Sequence, residues 1–145
     1  MSFEEWAAGV PREITQDSLW KMKAYRLSLY LADLAWEDVT KLAADARVAK
    51  VADQLYRAVG SIGANLAEGY GRHSGKERAH FYEYSLGSAR ESRHWYYMAR
   101  HVLEPNAFNQ RSAILAEIAK LLITIVPQER TINLAEERAE YEIGG

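Results

Sequence analysis

The sequence predicts an all-α protein, an up-down-up-down antiparallel four-helix bundle. Three observations carry that reading. Apolar residues recur at three- and four-residue steps over four long segments, no segment alternates as a strand would, and the connections between segments are short. At 145 residues the chain fits one domain, long enough to bury a core without staples.

Residues 1–16 carry Gly9 and Pro11 without a sustained period, and read as an N-terminal arm, either loose or docked through Phe3, Trp6 and Ile14. The bundle spans 17–127. Its first helix starts at Asp17, a residue type suited to N-capping, and places Trp20, Ala24, Leu27, Leu31 and Leu34 on one face with Tyr30 beside it. Between Glu13 and Val59 there is neither proline nor glycine. A compact domain must nevertheless fold back, which places a break near 43–47 with Asp45 as the next cap. The second helix, 46–69, lines up Val48, Ala52, Leu55, Val59, Ile62 and Leu66. Gly60 and Gly63 inside it each cost about 1 kcal/mol relative to alanine. With small neighbours at Ala58, Ala64 and Ala67, they predict a second backbone passing close by. Gly69 and Gly71 are expected to supply the positive φ of a helix end and a tight corner.

Ser74-Gly75-Lys76-Glu77 has the form of a capping box and opens the third helix. That helix runs to about Leu103, with Phe81, Tyr84, Ser88, Trp95, Ala99 and Val102 expected to face the core. Asn106 is expected to cap the fourth helix, in which Phe108, Leu115, Ile118, Leu122 and Ile125 share a face until Pro127 breaks or kinks it. Residues 128–145 form an acidic tail, a short helix or disordered, anchored only by Ile132, Leu134 and Ala135. The third helix is also more aromatic than one stripe requires. Tyr82 and Tyr96 lie fourteen residues apart on one face, and with Tyr97 and Met98 they suggest a protomer interface. The alternative is a thick core with tyrosine hydroxyls reaching solvent.

A net charge of −2 and a pI near 6.1 argue against a wholesale polyanion binder. The charge is unevenly spread. Between Arg72 and His101, six basic residues (Arg72, Lys76, Arg78, Arg90, Arg93, Arg100) face three acids, and all four histidines lie there too. Cysteine is absent, which removes disulfide and thiolate chemistry. No stretch is apolar enough to cross a bilayer, so a cytoplasmic location without membrane contact is expected.

Gly69 to Lys76 superficially suggests a phosphate-binding loop, but that loop needs glycine where Tyr70 stands and a hydroxyl where Glu77 stands, and it must follow a strand. Two E-x-x-H pairs, Glu77/His80 and Glu91/His94, have di-iron spacing yet sit on one helix roughly 21 Å apart, so they cannot share a site within a chain. Ser61, Ser74, Ser85 and Ser88 show no triad-like pairing. The sequence therefore points to no catalytic residue, no metal site and no cofactor. Glu68, with Asn65 before it and Arg72 after it, reads as a network that ties the corner down, or alternatively as a polar pocket at the bundle end.

The run Gln54-x-x-Arg57-Ala58-x-x-Ser61-Ile62-x-Ala64-Asn65-x-Ala67-Glu68-Gly69-x-Gly71-Arg72, then Ser74-x-Lys76-Glu77, Phe81 and Leu86-Gly87-Ser88, closely resembles the bacterial four-helix bundle protein family. The founding members of that family are encoded by intervening sequences in 23S rRNA genes, and it is also called S23 ribosomal protein-like. The resemblance spans about residues 17–126 and implies a cytosolic bundle assembled as a ring-like homopentamer. The family is similar to the accessory variability determinant of diversity-generating retroelements, a basic pentameric barrel that works with a reverse transcriptase and nucleic acid. The resemblance implies no established biochemical activity. This sequence departs from the pattern in having Gly63 in place of a proline, no Phe-Pro turn between the first two helices, a more aromatic third helix and an acidic balance. Three functions compete. One is a non-catalytic homo-oligomeric scaffold or adaptor. The second is an RNA- or DNA-binding accessory protein using Arg72, Lys76, Arg78, Arg90, Arg93 and Arg100. The third is a bundle holding a metal or small ligand across subunit boundaries.

Overall fold

The computed structural model describes residues 1–144. Among them, all regular structure is helical. Short helices α1 (Phe3–Ala8) and α2 (Arg12–Thr15) and a 3-10 turn (Ser18–Lys21) precede α3 (Lys23–Ala43), α4 (Ala49–Tyr70), α5 (Gly75–Ala99) and α6 (Pro105–Gly144), with a second 3-10 turn (Arg100–Val102) before α6. α3 packs on α4, α4 on α5, α5 on α6, and α6 returns to α3, which closes a square bundle. Each neighbouring pair is antiparallel: Gly63 lies against Ser28, Ser85 bonds the Ile62 carbonyl, Arg78 reaches Glu129 and Arg111 reaches Asp38. The four long helices are those the periodicity predicts.

The core is built from the predicted stripes of α4 and α6, where Leu55, Val59, Ile62, Leu66, Leu115, Ile118 and Leu122 are buried, together with Leu27, Leu31, Ala35 and Leu42 of α3. Tyr82 and Tyr96 of α5 join them. Burying a large aliphatic side chain stabilises by about 1.5–3 kcal/mol, so these stripes dominate the folding free energy.

Several expectations are corrected. Asp17 caps the 3-10 turn, accepting the Leu19 amide at 2.8 Å, and the first long helix starts only at Lys23. The break between α3 and α4 falls at 44–48, close to where it is expected, but α4 starts at Ala49 with Val48 at its cap position and no side-chain cap, so Asp45 does not cap it; the Asp45 carboxylate instead accepts the Arg47 amide at 2.9 Å and grips its guanidinium. Those bonds from Arg47 hold the Asp45 carboxyl well below the usual range, at about 2. No described glycine has positive φ, and Gly71 sits at φ −85°. The small residues of α4 also divide: Gly63 is tight, because a Cβ there would meet Ser28 Oγ at 2.8 Å, whereas Gly60 faces open space. Pro105, rather than a capping Asn106, is the first residue of α6, where its missing N–H costs nothing.

Pro127 does not end α6, which runs as one helix of 40 residues, roughly 60 Å at 1.5 Å per residue. Pro127 lies on the exposed side, so the carbonyl it deprives of a partner can be met by water. The N-terminal arm is docked: Trp6 is buried among Phe3, Trp20 and Tyr30, and its indole N–H donates to Asp33 at 2.6 Å. Ile14 remains exposed and is no anchor.

Candidate interaction surface

α5 carries half of the sequence-predicted site residues, and its rotation about its own axis decides what each can do. The face turned inward is Ala79, Tyr82, Ser85, Ala89, Ser92, Tyr96 and Ala99. It is mostly small because α4 passes close: Ser85 Oγ donates to the Ile62 carbonyl at 2.8 Å, and a Cβ on Gly69 would meet Phe81 Cβ at 2.6 Å. Phe81, Ser88, Trp95 and Val102 are therefore only half-buried and Tyr84 is exposed; of the predicted core face, only Ala99 is buried. Tyr82 and Tyr96 are core residues of the protomer, not interface residues. Burial, with Glu129 nearby, pushes the Tyr82 hydroxyl up to about 12. Tyr97 and Met98 do face outward, 54% and 49% exposed, and Tyr84 joins them at 51%.

Sequence reasoning missed the polar centre of the core. Asp38, 1% exposed, accepts Arg111 Nε at 2.8 Å, Arg111 Nη2 at 3.0 Å and the Tyr96 hydroxyl at 2.7 Å. The remaining Arg111 nitrogen donates to Gln110, whose amide reaches Tyr30, whose hydroxyl donates to the Met1 carbonyl. Burial disfavours the charge on Arg111, but the Asp38 carboxylate outweighs it and the net direction is upward. Burial first, then Asp38, raises the Tyr96 hydroxyl. A signal was present: Asp38 falls on the stripe Leu31, Ala35, Leu42, and Arg111 on the stripe Leu115, Ile118, Leu122, so opposite charges occupy core positions of two helices. Both Asp38 oxygens and all three Arg111 nitrogens are engaged, which makes this polar centre a structural lock between α3, α5 and α6.

The motif residues lie mainly on the outer side of α4 and at its corner with α5. Ser61 Oγ donates to the Arg57 carbonyl at 2.9 Å and Asn65 Nδ2 to the Ser61 carbonyl at 2.9 Å, while Arg57 pairs with Asp53. Glu68 pairs with Arg72, whose guanidinium lies 4.8 Å from the Phe81 ring centre. Ser74 Oγ accepts the Glu77 amide at 3.2 Å and caps α5. Arg72, Ser74, Lys76, Glu77, His80 and Phe81, with Arg130 from α6, line an open cleft of about 550 Å³.

The candidate phosphate-contacting residues do not converge. Arg72 and Lys76 share that cleft, whereas Arg90 and Arg93 lie on the distal half of α5 and Arg100 in the 3-10 turn that follows it. Arg100 is folded over the Tyr97 ring, 3.9 Å from its centre. Arg78 is not an open cation at all: Nε donates to Glu129 at 2.7 Å, Nη2 to Glu136 at 3.2 Å and Nη1 to the Arg72 carbonyl at 3.0 Å. The Glu129 bond leads the causes that raise its pKa. Among the described residues, no three histidine or carboxylate side chains gather in metal-ligating geometry, and no helix is long and apolar enough to cross a membrane.

The profile of the 23S rRNA-intervening sequence protein family matches residues 20–124, well over half of the chain. The chain belongs to that family. The match begins at Trp20 and ends within α6, so α1, α2 and the last twenty described residues of α6 fall outside it. A solved structure from the S23 ribosomal protein family of Bacteroides thetaiotaomicron, a protein with unknown function, is similar in fold. Its TM-score is 0.66 at 23% identity, covering 71% of this chain and 97% of that one. No curated protein matches the sequence. The match to the 23S rRNA-intervening sequence protein family takes in the whole motif on α4 and α5.

Proposed function

We propose that this protein is a non-catalytic scaffold that works as a closed homo-oligomer, a ring of five as the sequence resemblance implies. One observation carries the reading: the bundle has two separate unpartnered apolar patches on different faces. The first is Tyr97 and Met98 on the outside of α5 near its C-terminal end, beside Arg100. The second is a groove of about 400 Å³ between α3 and α4, where Trp36, 63% exposed, meets the Tyr56 ring edge-on at 5.7 Å. Two unlike patches make a head-to-tail contact, and such contacts close into rings when the rotation allows. Aromatic residues and methionine are the types that interfaces concentrate. Light scattering on a sizing column is expected to give about five times the 16.5 kDa chain mass. Tyr97→Asp combined with Met98→Asp is expected to shift that peak to the monomer with helicity unchanged. A monomeric parent chain would sink the proposal.

A second reading, nucleic-acid binding, is favoured by Lys76, Arg90 and Arg93, which are exposed on α5 and have no acidic partner among the described residues. A fluorescent oligonucleotide is expected to bind at low salt and to be released steeply as salt rises. No binding at low salt would remove this reading.

A further inference from the structure

We infer that the C-terminal half of α6 masks a nucleic-acid-binding corner in cis, with Glu129 and Glu136 standing where the phosphodiester backbone of a single strand would bind. This rests on the second reading above, and adds to it a gate and the cation that the gate withholds.

Around the start of α5, four cations from three elements come together. Arg72, Lys76 and Arg130 line the cleft, and Arg78 lies one turn along from Ser74 on the side facing α6. His80 and Phe81 line the same cleft, and the His80 ring lies 4.4 Å from that of Tyr84, so ring faces on which bases stack stand beside the charges. The cations are not equally available. Arg72 and Arg130 each pair with one exposed carboxylate, Glu68 and Glu83, in contacts that solvent screens and that contribute little. Arg78 is different: its side chain is 18% exposed, its Glu129 partner 14%, and all three of its nitrogens are engaged. The same segment of α6 closes over the neighbouring backbone, with Glu136 accepting the Gly75 amide at 3.1 Å and Asn133 accepting the Lys76 amide at 2.9 Å.

Every one of these masking groups, Glu129, Asn133 and Glu136, comes after residue 124, where the match to the family ends. The corner they cover belongs to the matched region. The cover thus lies outside the matched region, and it carries carboxylates that a phosphate would have to displace. Glu129 and Glu136 thus act as intramolecular competitors, so that a strand bound at Arg72 and Lys76 gains the neighbouring Arg78 only when the α6 segment yields.

The test is fluorescence anisotropy on the full chain across a salt series, with oligouridylate and oligothymidylate probes of about twenty nucleotides. Glu129→Gln with Glu136→Gln keeps the side-chain shapes and removes the competing charge. It is expected to bind about tenfold more tightly at low salt, with a salt slope steeper by about one. Glu140→Gln with Glu142→Gln removes the same charge from exposed positions on the same helix and is expected to change affinity by less than about twofold. Adding Arg78→Ala to the first pair should abolish the gain. The two probes separate RNA from DNA as the preferred backbone. If both charge-removing pairs tighten binding equally, net charge alone is responsible and the mask is refuted. If the parent binds and the Glu129/Glu136 pair binds no better, the mask fails while nucleic-acid binding stands. If no form binds either probe at low salt, the nucleic-acid reading fails and takes the mask with it. Circular dichroism of each variant is expected to match the parent.

Discussion

Replacing Asp38 by alanine is expected to lower the unfolding free energy by about 3–5 kcal/mol, the range for breaking a buried ion pair from one side. The magnitude follows from what the substitution strands. Arg111, 7% exposed, would lose both of its bonds to the carboxylate, and the buried Tyr96 hydroxyl would lose its acceptor. A guanidinium without a counter-charge cannot be satisfied by the apolar side chains around it, and arginine does not escape by deprotonating. The double change Asp38→Leu with Arg111→Met is expected to recover most of the loss, because removing both charges removes the desolvation cost together with the attraction. Urea unfolding followed by circular dichroism checks this, at one fixed protein concentration because assembly adds to apparent stability. A loss under about 1 kcal/mol for Asp38→Ala would mean that the lock is not closed as described.

Gly75→Ala is expected to be the second severe change and to act on the seat of α6. A Cβ at this position would stand 2.1 Å from the Glu129 carbonyl oxygen and 2.8 Å from the Asn133 amide nitrogen. Both are backbone atoms of a helix, so no rotamer change relieves the contact. Helix propensity alone favours alanine by about 1 kcal/mol, and steric exclusion must overcome that. We expect a net loss of about 1–3 kcal/mol, the usual cost of overpacking, with detachment of α6 beyond Pro127. Detachment would also break the Arg78–Glu129 pair at 2.7 Å and the Lys76–Asn133 bond at 2.9 Å. Limited proteolysis should then cut between 128 and 144 while the bundle survives. Gly60→Ala is the internal comparison: that position has open space around it, so alanine there is expected to stabilise the isolated protomer by up to about 1 kcal/mol. A Gly75→Ala chain as protease-resistant and as stable as the parent would contradict the close approach.

These two residues show where sequence reading succeeds and where it stops. The four long helices, the stripes of α4 and α6, the fold-back near Asp45 and the cap at Ser74 are all legible from the sequence, because each depends on local spacing and on side-chain bonds within a few residues. The family motif from Arg57 to Glu77 is legible for the same reason. What only the tertiary structure decided is which side of α5 faces inward, why Gly75 must be glycine, that α6 continues through Pro127, and that Arg78 is withdrawn from solvent. An apolarity rule turns Phe81, Tyr84 and Trp95 inward, but the close passage of α4 reserves that face for alanine and serine, with Tyr82 and Tyr96 filling the gaps. Glu129 and Glu136 find Arg78 across 51 and 58 residues of chain, a pairing that no local period encodes. Local spacing selects helices and their stripes, whereas the direction a stripe faces and the partner of a charge are set by which other helix arrives beside it.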